Sequence, residues 1–219
     1  VSYRFDCAGP SGRSRGLARA RAVLESGELV VVPTEASYGL SCDAFSARGM
    51  AALREAKGNR WLVPPVLLGS GRALDGLAAE VSLAARDLAE AFWPGPLTLV
   101  CRAQPTLDRR LGDVDGGAVS LRVPLHPVLL RLLSETGPLA VTGANTPGHP
   151  LPTTYAEVYE QLGDLAAVYL DAGPTRYGGP STVVDARGPV LRILRPGALR
   201  AAALREVVPG MLDLEEASV

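Results

Sequence analysis

Among 22 basic residues the chain carries a single lysine, Lys57, and 21 arginines. A general bias toward arginine explains the arginines. A lysine that escapes the bias is a candidate for a task that needs an ammonium group. Lys57 ends an apolar-periodic stretch that Ser46 can cap, and Gly58 follows it, so it stands where a helix gives way to a loop. Arg122 and Arg195 end two further apolar runs, where a planar guanidinium can grip a carboxylate or phosphate through parallel hydrogen bonds. Several runs finish in polar, Gly/Pro-rich segments: PTEASYGL at 33–40, VTGAN at 141–145, GGPSTVVD at 178–185 and LRPG at 194–197. In open α/β sheets, loops at strand ends converge on ligand sites. Cationic groups on such loops make anion binding the chemistry to expect, and no residue reads as a nucleophile.

Familiar alternatives are missing. The sequence has no P-loop, no G-x-G-x-x-G between a strand and a helix, and no G-x-S-x-G elbow. His126 and His149 lack metal-like spacing, and they read as a residue at a helix start and a loop residue. Cys7, Cys42 and Cys101 are odd in number, widely spaced and without C-x-x-C, which argues against a disulfide framework or a zinc site. With 219 residues, 47% apolar and 21% charged, the composition is that of an ordinary globular domain. The net charge of −1 does not advertise nucleic-acid binding, although a local basic cleft is compatible with it. No apolar run approaches the roughly 20 residues of a membrane span, and the first residues lack the apolar core of a secretory signal. No membrane association and a cytoplasmic location are therefore expected.

Elements must hold these loops in place. Apolar periodicity and capping residues predict helices at 14–27, 46–57, 82–92, 126–135, 154–162 and 199–208. Leu83, Leu88 and Phe92 are the inward candidates of the third helix, and Leu129, Leu130, Leu132 and Leu133 those of the fourth. Strands are expected at 29–32, 64–68, 97–101, 118–123, 138–142, 167–171, 181–185 and 190–194. PTEASYGLSCD has no clean period and reads as a loop. Helices and strands interleave, yet the later strands arrive in succession, which predicts a mixed, twisted α/β sheet. Residues 1–14 are expected to be a loose arm, 15–208 a single domain and 209–219 an acidic frayed tail.

Taken in order, the loops form a set: VVVPTEASYGL at 30–40, Lys57, FWPGPLTL at 92–99, SLRVP-x-HP at 120–127, TGANTPG at 142–148, PSTVVD at 180–185 and LRPG at 194–197. This set resembles the YrdC-like family of threonylcarbamoyl-AMP synthases over residues 15–200. The resemblance implies a twisted mixed sheet flanked by helices around a large concave cavity. It implies joining of L-threonine, bicarbonate and ATP, with Mg2+, into threonylcarbamoyl-AMP and pyrophosphate. That product serves tRNA threonylcarbamoyladenosine formation through downstream transfer proteins, and tRNA or double-stranded RNA is a possible direct partner. By correspondence, Thr34, Tyr38, Arg122, Thr142 and Ser181 would meet threonine. Lys57, Arg60, Gly143, Asn145 and Arg195 would meet ATP, with Lys57 stabilising phosphate charge. Trp93 reads as packing rather than as a platform for the base.

Two stretches depart from the family pattern. Where K-x-R is usual, the chain has Lys57-Gly58-Asn59, with Arg60 one residue late, and on an extended segment one step reverses side-chain direction. Where S-T-S-A-N is usual, it reads Val141-Thr142-Gly143-Ala144-Asn145, without either serine. A working synthase, a paralogue that activates another substrate, and a non-enzymatic RNA or nucleotide binder are the three readings. Plainer roles stand beside each residue: Thr34 and Ser181 could cap their own turns, Arg122 and Arg195 could pair with surface carboxylates, and Asn145 could be a left-handed turn residue.

Overall fold

Strand alternation decides which helices cover which face of the sheet. In the computed structural model, which describes residues 1–106, 117–175 and 179–213, Val30 and Val32 of β2 (Val30–Pro33) join one apolar core while Val31 joins the other. The same split recurs in β8 (Leu139–Gly143), where Leu139 and Val141 face one core and Ala140 the other. α1 (Pro10–Glu25) and α5 (Pro127–Thr136) pack Leu17, Val23, Leu24, Leu129, Leu132 and Leu133 onto the first face. α2 (Ala47–Ala56), α4 (Leu83–Phe92), α6 (Tyr155–Leu162) and α7 (Ala201–Val207) cover the second. No helix among the described residues is long and apolar enough to cross a membrane.

The other strands are β1 (Tyr3–Asp6), β3 (Tyr38–Asp43), β4 (Val66–Leu67), β5 (Ala78–Ala79), β6 (Leu97–Ala103), β7 (Ala118–Arg122), β9 (Val168–Asp171), β10 (Thr182–Asp185) and β11 (Arg192–Arg195). A short helix, α3 (Leu74–Leu77), precedes β5. The sheet runs β1-β9-β2-β3-β8-β4-β7-β6-β10-β11, with β5 on β6. The β2/β9, β4/β7 and β6/β10 pairs are parallel, and the β2/β3, β3/β8, β6/β7 and β10/β11 pairs are antiparallel. The sheet is therefore mixed, as the element order predicts. The β4/β8 pair is antiparallel too, so the carboxyl ends of β2 and β8 share one edge with the amino ends of β3 and β4, while the carboxyl ends of β7 and β11 share the opposite edge with the amino ends of β6 and β10.

Several expectations are corrected. Residues 1–14 are not a loose arm: β1 pairs in parallel with β9 through Tyr3–Val168 to Asp6–Asp171, and α1 begins at Pro10. PTEASYGLSCD is a loop only in its first half, because Tyr38 to Cys42 are buried on both faces and so show no alternation. Leu83 points outward at 79% exposure because it occupies the first turn of α4, which Ser82 caps. Residues 209–213 are tied back, since Leu212 bridges Arg192 and Asp213 pairs with Arg205, while 214–219 lie outside the described residues. Residues 107–116, between two expected strands, lie outside them too. The capping readings hold. Ser46 accepts from the Gly49 amide at 3.1 Å, and Thr154 and Glu157 form a reciprocal capping box.

Cys7, Cys42 and Cys101 are free and buried, and burial pushes their thiols up to about 11, 12 and 12. At about pH 8 each is a protonated thiol sealed from solvent. Iodoacetamide should leave the native protein unlabelled and modify all three cysteines once it is denatured. Intact-mass spectrometry checks this, and labelling of the native form would contradict the burial.

Candidate active site

A cavity of about 240 Å3 opens where these strand ends meet, lined by Thr34, Tyr38, Leu67, Thr98, Arg122, Thr142, Gly143, Leu151, Ser181 and Arg195 among others. Seven of the ten residues expected at the site line it; Lys57, Arg60 and Asn145 do not. A larger cavity of about 580 Å3 lies elsewhere, against Glu28, Arg48, Glu55 and Asp164, and contains none of them. We assign the site to the smaller cavity because it is the one onto which buried cationic and hydroxyl groups converge.

Arg122 is held from behind. It ends β7 with only 8% of its surface exposed. Its Nε donates to the Gly95 carbonyl at 3.0 Å, and its Nη2 donates to Glu35 in a buried ion pair. The second oxygen of Glu35 accepts the Leu125 amide at 3.2 Å. The partner of Arg122 is thus a buried carboxylate, not one of the surface carboxylates considered from sequence.

Opposite, Arg195 donates to the Ser181 carbonyl at 2.8 Å and to Ser181 Oγ at 3.2 Å. Ser181 Oγ shares a 2.8 Å hydrogen bond with Thr98 Oγ1. Burial, and then the charge of Arg122, lower the Arg195 pKa. The hairpin that carries Arg195 depends on Gly197. A Cβ there would lie 2.5 Å from the Pro180 carbonyl oxygen and from backbone atoms of Ser181 and Thr182.

Other expected residues have structural duties. Thr34 does close its own turn: Oγ1 donates to the Ser37 carbonyl at 2.6 Å and accepts the Ala36 and Ser37 amides. The Tyr38 ring lies in the core, and its hydroxyl turns away to donate to the Gly173 carbonyl at 2.7 Å while accepting the Ala172 amide. Lys57 directs Nζ to the Gly143 carbonyl at 3.1 Å, to the Asn145 carbonyl and to Asn145 Oδ1 at 3.0 Å. The lysine therefore ties down the 143–145 loop, and burial lowers its pKa. Asn145 also donates to the His149 carbonyl at 2.7 Å, and its backbone is not left-handed. Arg60 is exposed, with its guanidinium over the Trp61 ring, and it does not line the cavity. The one-residue shift has that consequence: Asn59 takes the turn instead, accepting the Trp61 amide. Trp93 packs against the core and donates to the Leu97 carbonyl, as packing requires. His126 caps α5 without a side-chain bond, and its buried Nδ1 has no hydrogen-bond partner among the described residues.

Sequence reasoning missed Thr98 and Glu35. Each had a signal. Thr98 is the polar residue inside the buried run of β6, and Glu35 is a carboxylate between buried Thr34 and Ala36. A buried charge has to be paired.

Comparison with known proteins supplies the family. The Sua5/YciO/YrdC model, described as "Telomere recombination", matches residues 22–197. The chain belongs to this family. Over 209 residues, 95% of this chain and 96% of the relative, it is 47% identical to a putative threonylcarbamoyl-AMP synthase of Mycobacterium tuberculosis. The crystal structure of Pyrococcus abyssi Sua5 complexed with L-threonine superposes with a TM-score of 0.83 at 33% identity, over 90% of this chain and 58% of that one. E. coli YciO shares the fold with a TM-score of 0.79 at 22% identity, over 91% of this chain and 98% of that one. Within this Sua5/YciO/YrdC domain the loss of the serine at 143 has a packing correlate. A Cβ on Gly143 would lie 2.4 Å from Leu151 Cδ2 and 2.7 Å from Asn145 Oδ1.

Two substitutions test this arrangement. Lys57→Met should speed amide hydrogen exchange at 143–146 by at least about tenfold, because the loop loses its charged tie. Unchanged exchange would show the tie to be dispensable. Gly197→Ala should displace the Pro180–Thr182 backbone and lower the melting temperature, by about 2–8 °C if the clash costs 1–2 kcal/mol. An unchanged melting curve would show that the close approach is relieved without cost.

Proposed function

We propose that this domain joins L-threonine, bicarbonate and ATP into threonylcarbamoyl-AMP, releasing pyrophosphate, for threonylcarbamoylation of tRNA. The observation that carries the reading is the convergence of two guanidinium groups and a paired Thr98–Ser181 hydroxyl couple on one cavity of amino-acid size. Sites for drug-sized ligands run roughly 300–1,000 Å3, so 240 Å3 suits threonine better than a nucleotide.

In this proposal the carboxylate of threonine meets the free edge of Arg122, and its hydroxyl joins the Thr98–Ser181 couple. The neutral amine attacks the carbon of bicarbonate, water leaves, and a carbamate forms. A carbamate oxygen then attacks the α-phosphorus of ATP and pyrophosphate departs. No side chain becomes covalently bound, so the protein works by positioning and by electrostatic stabilisation. The proposed place for ATP is beside Leu151, Gly179 and Pro180, which line the cavity together with Arg195. The product is a mixed anhydride that water destroys, so a transfer protein acting on tRNA must receive it.

Mg2+ enters this proposal only as a companion of ATP, supplying charge neutralisation at the phosphates. Among the described residues no group of three or more His, Cys, Asp or Glu side chains is placed to hold a metal. Glu35, the carboxylate behind the cavity wall, is already taken by Arg122 and the Leu125 amide.

Purified protein should release pyrophosphate only when ATP, Mg2+, L-threonine and bicarbonate are all present. Release that ignores threonine, or no release alongside salt-sensitive tRNA binding, would overturn the synthase reading.

A further inference from the structure

Two guanidinium groups on one small cavity pose a selection problem. Arg122 and Arg195 both line it, and after burial it is the charge of Arg122 that lowers the Arg195 pKa. Left alone, they would draw in a phosphate or other dianion ahead of a monocarboxylate. Among the described residues that line the cavity there is no carboxylate. The compensating charge lies one layer back. Glu35, with 8% side-chain exposure, pairs with Arg122, itself at 10%. Arg122 Nε is held by the Gly95 carbonyl and Nη2 by Glu35, so the lateral edge of the guanidinium is occupied. The terminal edge, Nη1 and the remaining Nη2 hydrogen, is left for a ligand. The Leu125 amide fixes the second oxygen of Glu35, which keeps the carboxylate from turning into the cavity itself.

We propose that Glu35 is the positioning and charge-setting residue of this site. By holding Nη2 of Arg122 and cancelling one of the two guanidinium charges, it makes the cavity select a ligand with one carboxylate over a dianion. The choice of threonine as that ligand rests on the synthase reading; the selection by charge does not.

The test compares the unmodified protein with Glu35→Gln, which keeps the shape and drops the charge, and with Glu35→Asp. Calorimetric titrations use L-threonine, O-phospho-L-threonine and inorganic phosphate, and pyrophosphate release gives kcat and KM. The unmodified protein should bind threonine at least about tenfold more tightly than its phosphorylated form. Glu35→Gln should raise KM for threonine about tenfold or more, with a smaller change in kcat, and should gain about tenfold in phosphate affinity. Glu35→Asp should recover part of the threonine KM and lose the phosphate gain. Unchanged affinities in Glu35→Gln overturn the proposal. So does a loss of threonine affinity with no gain for phosphate, which is what a merely structural residue would give. Equal binding of threonine and O-phospho-L-threonine by the unmodified protein overturns it as well, without requiring any variant to fold. If the unmodified protein releases no pyrophosphate yet Glu35→Gln gains phosphate affinity, the synthase reading fails and the charge-setting role stands.

Discussion

The buried ion pair between Glu35 and Arg122 is the constraint around which the rest of the site is arranged. Two charges withdrawn from water must find partners for their remaining hydrogen-bonding atoms, and removing one member of such a pair costs about 3–5 kcal/mol. The partners come from separate parts of the chain: the Gly95 carbonyl just after α4, and the Leu125 amide just before α5. Each is delivered by a segment that carries two prolines, WPGP and VPLHP. The Thr34 turn, closed on the Ser37 carbonyl, aims Glu35 beneath β7. The first loop of the cavity is therefore shaped by what its buried carboxylate needs as much as by any ligand.

Sheet curvature does the rest. From β2 to β11 the sheet takes seven strand steps. At about 4.8 Å per step these would part the two strands by roughly 34 Å in a flat sheet. Thr34, just past β2, and Arg195, at the end of β11, nevertheless line one cavity. The sheet must twist and curl around the site for that to hold. Gly197 is a local part of the same geometry, since only a residue without Cβ lets the chain after β11 lie against the Pro180–Thr182 backbone.

What was legible in the sequence divides along physical lines. Capped helices could be read, because Ser46, Ser82 and Thr154 act through hydrogen bonds within three residues of themselves. Strand ends carrying Arg122, Thr142, Ser181 and Arg195 could be placed as well, because apolar runs stop where the sheet meets the cavity. β1 could not, since its strand character comes from pairing with β9, more than 160 residues away, and not from an apolar pattern. β3 was hidden for the opposite reason, being buried on both faces. At the site, side-chain direction was the missing knowledge. Tyr38 and Lys57 sit in the expected motifs, yet their polar atoms turn to the protein's own backbone. Position in a motif names a residue; only packing says where it points.

The departures from the family pattern each have a structural counterpart. Arg60 has left for the surface, Gly143 has no side chain, Leu151 covers it, and Lys57 bonds the carbonyls on either side of Ala144. A lysine with three oxygen partners has traded a free charge for a fixed loop, and burial makes that charge harder to keep. Arg122 likewise has its charge balanced by Glu35. Of the cationic groups expected at the site, Arg195 alone lines the cavity without a carboxylate partner among the described residues. Its contacts are a carbonyl and a hydroxyl, which orient a guanidinium without cancelling it. The cavity thus separates two tasks that both call for positive charge. Arg122, with its charge balanced, is suited to orienting a carboxylate, and Arg195, with its charge intact, to meeting a more highly charged group at the mouth.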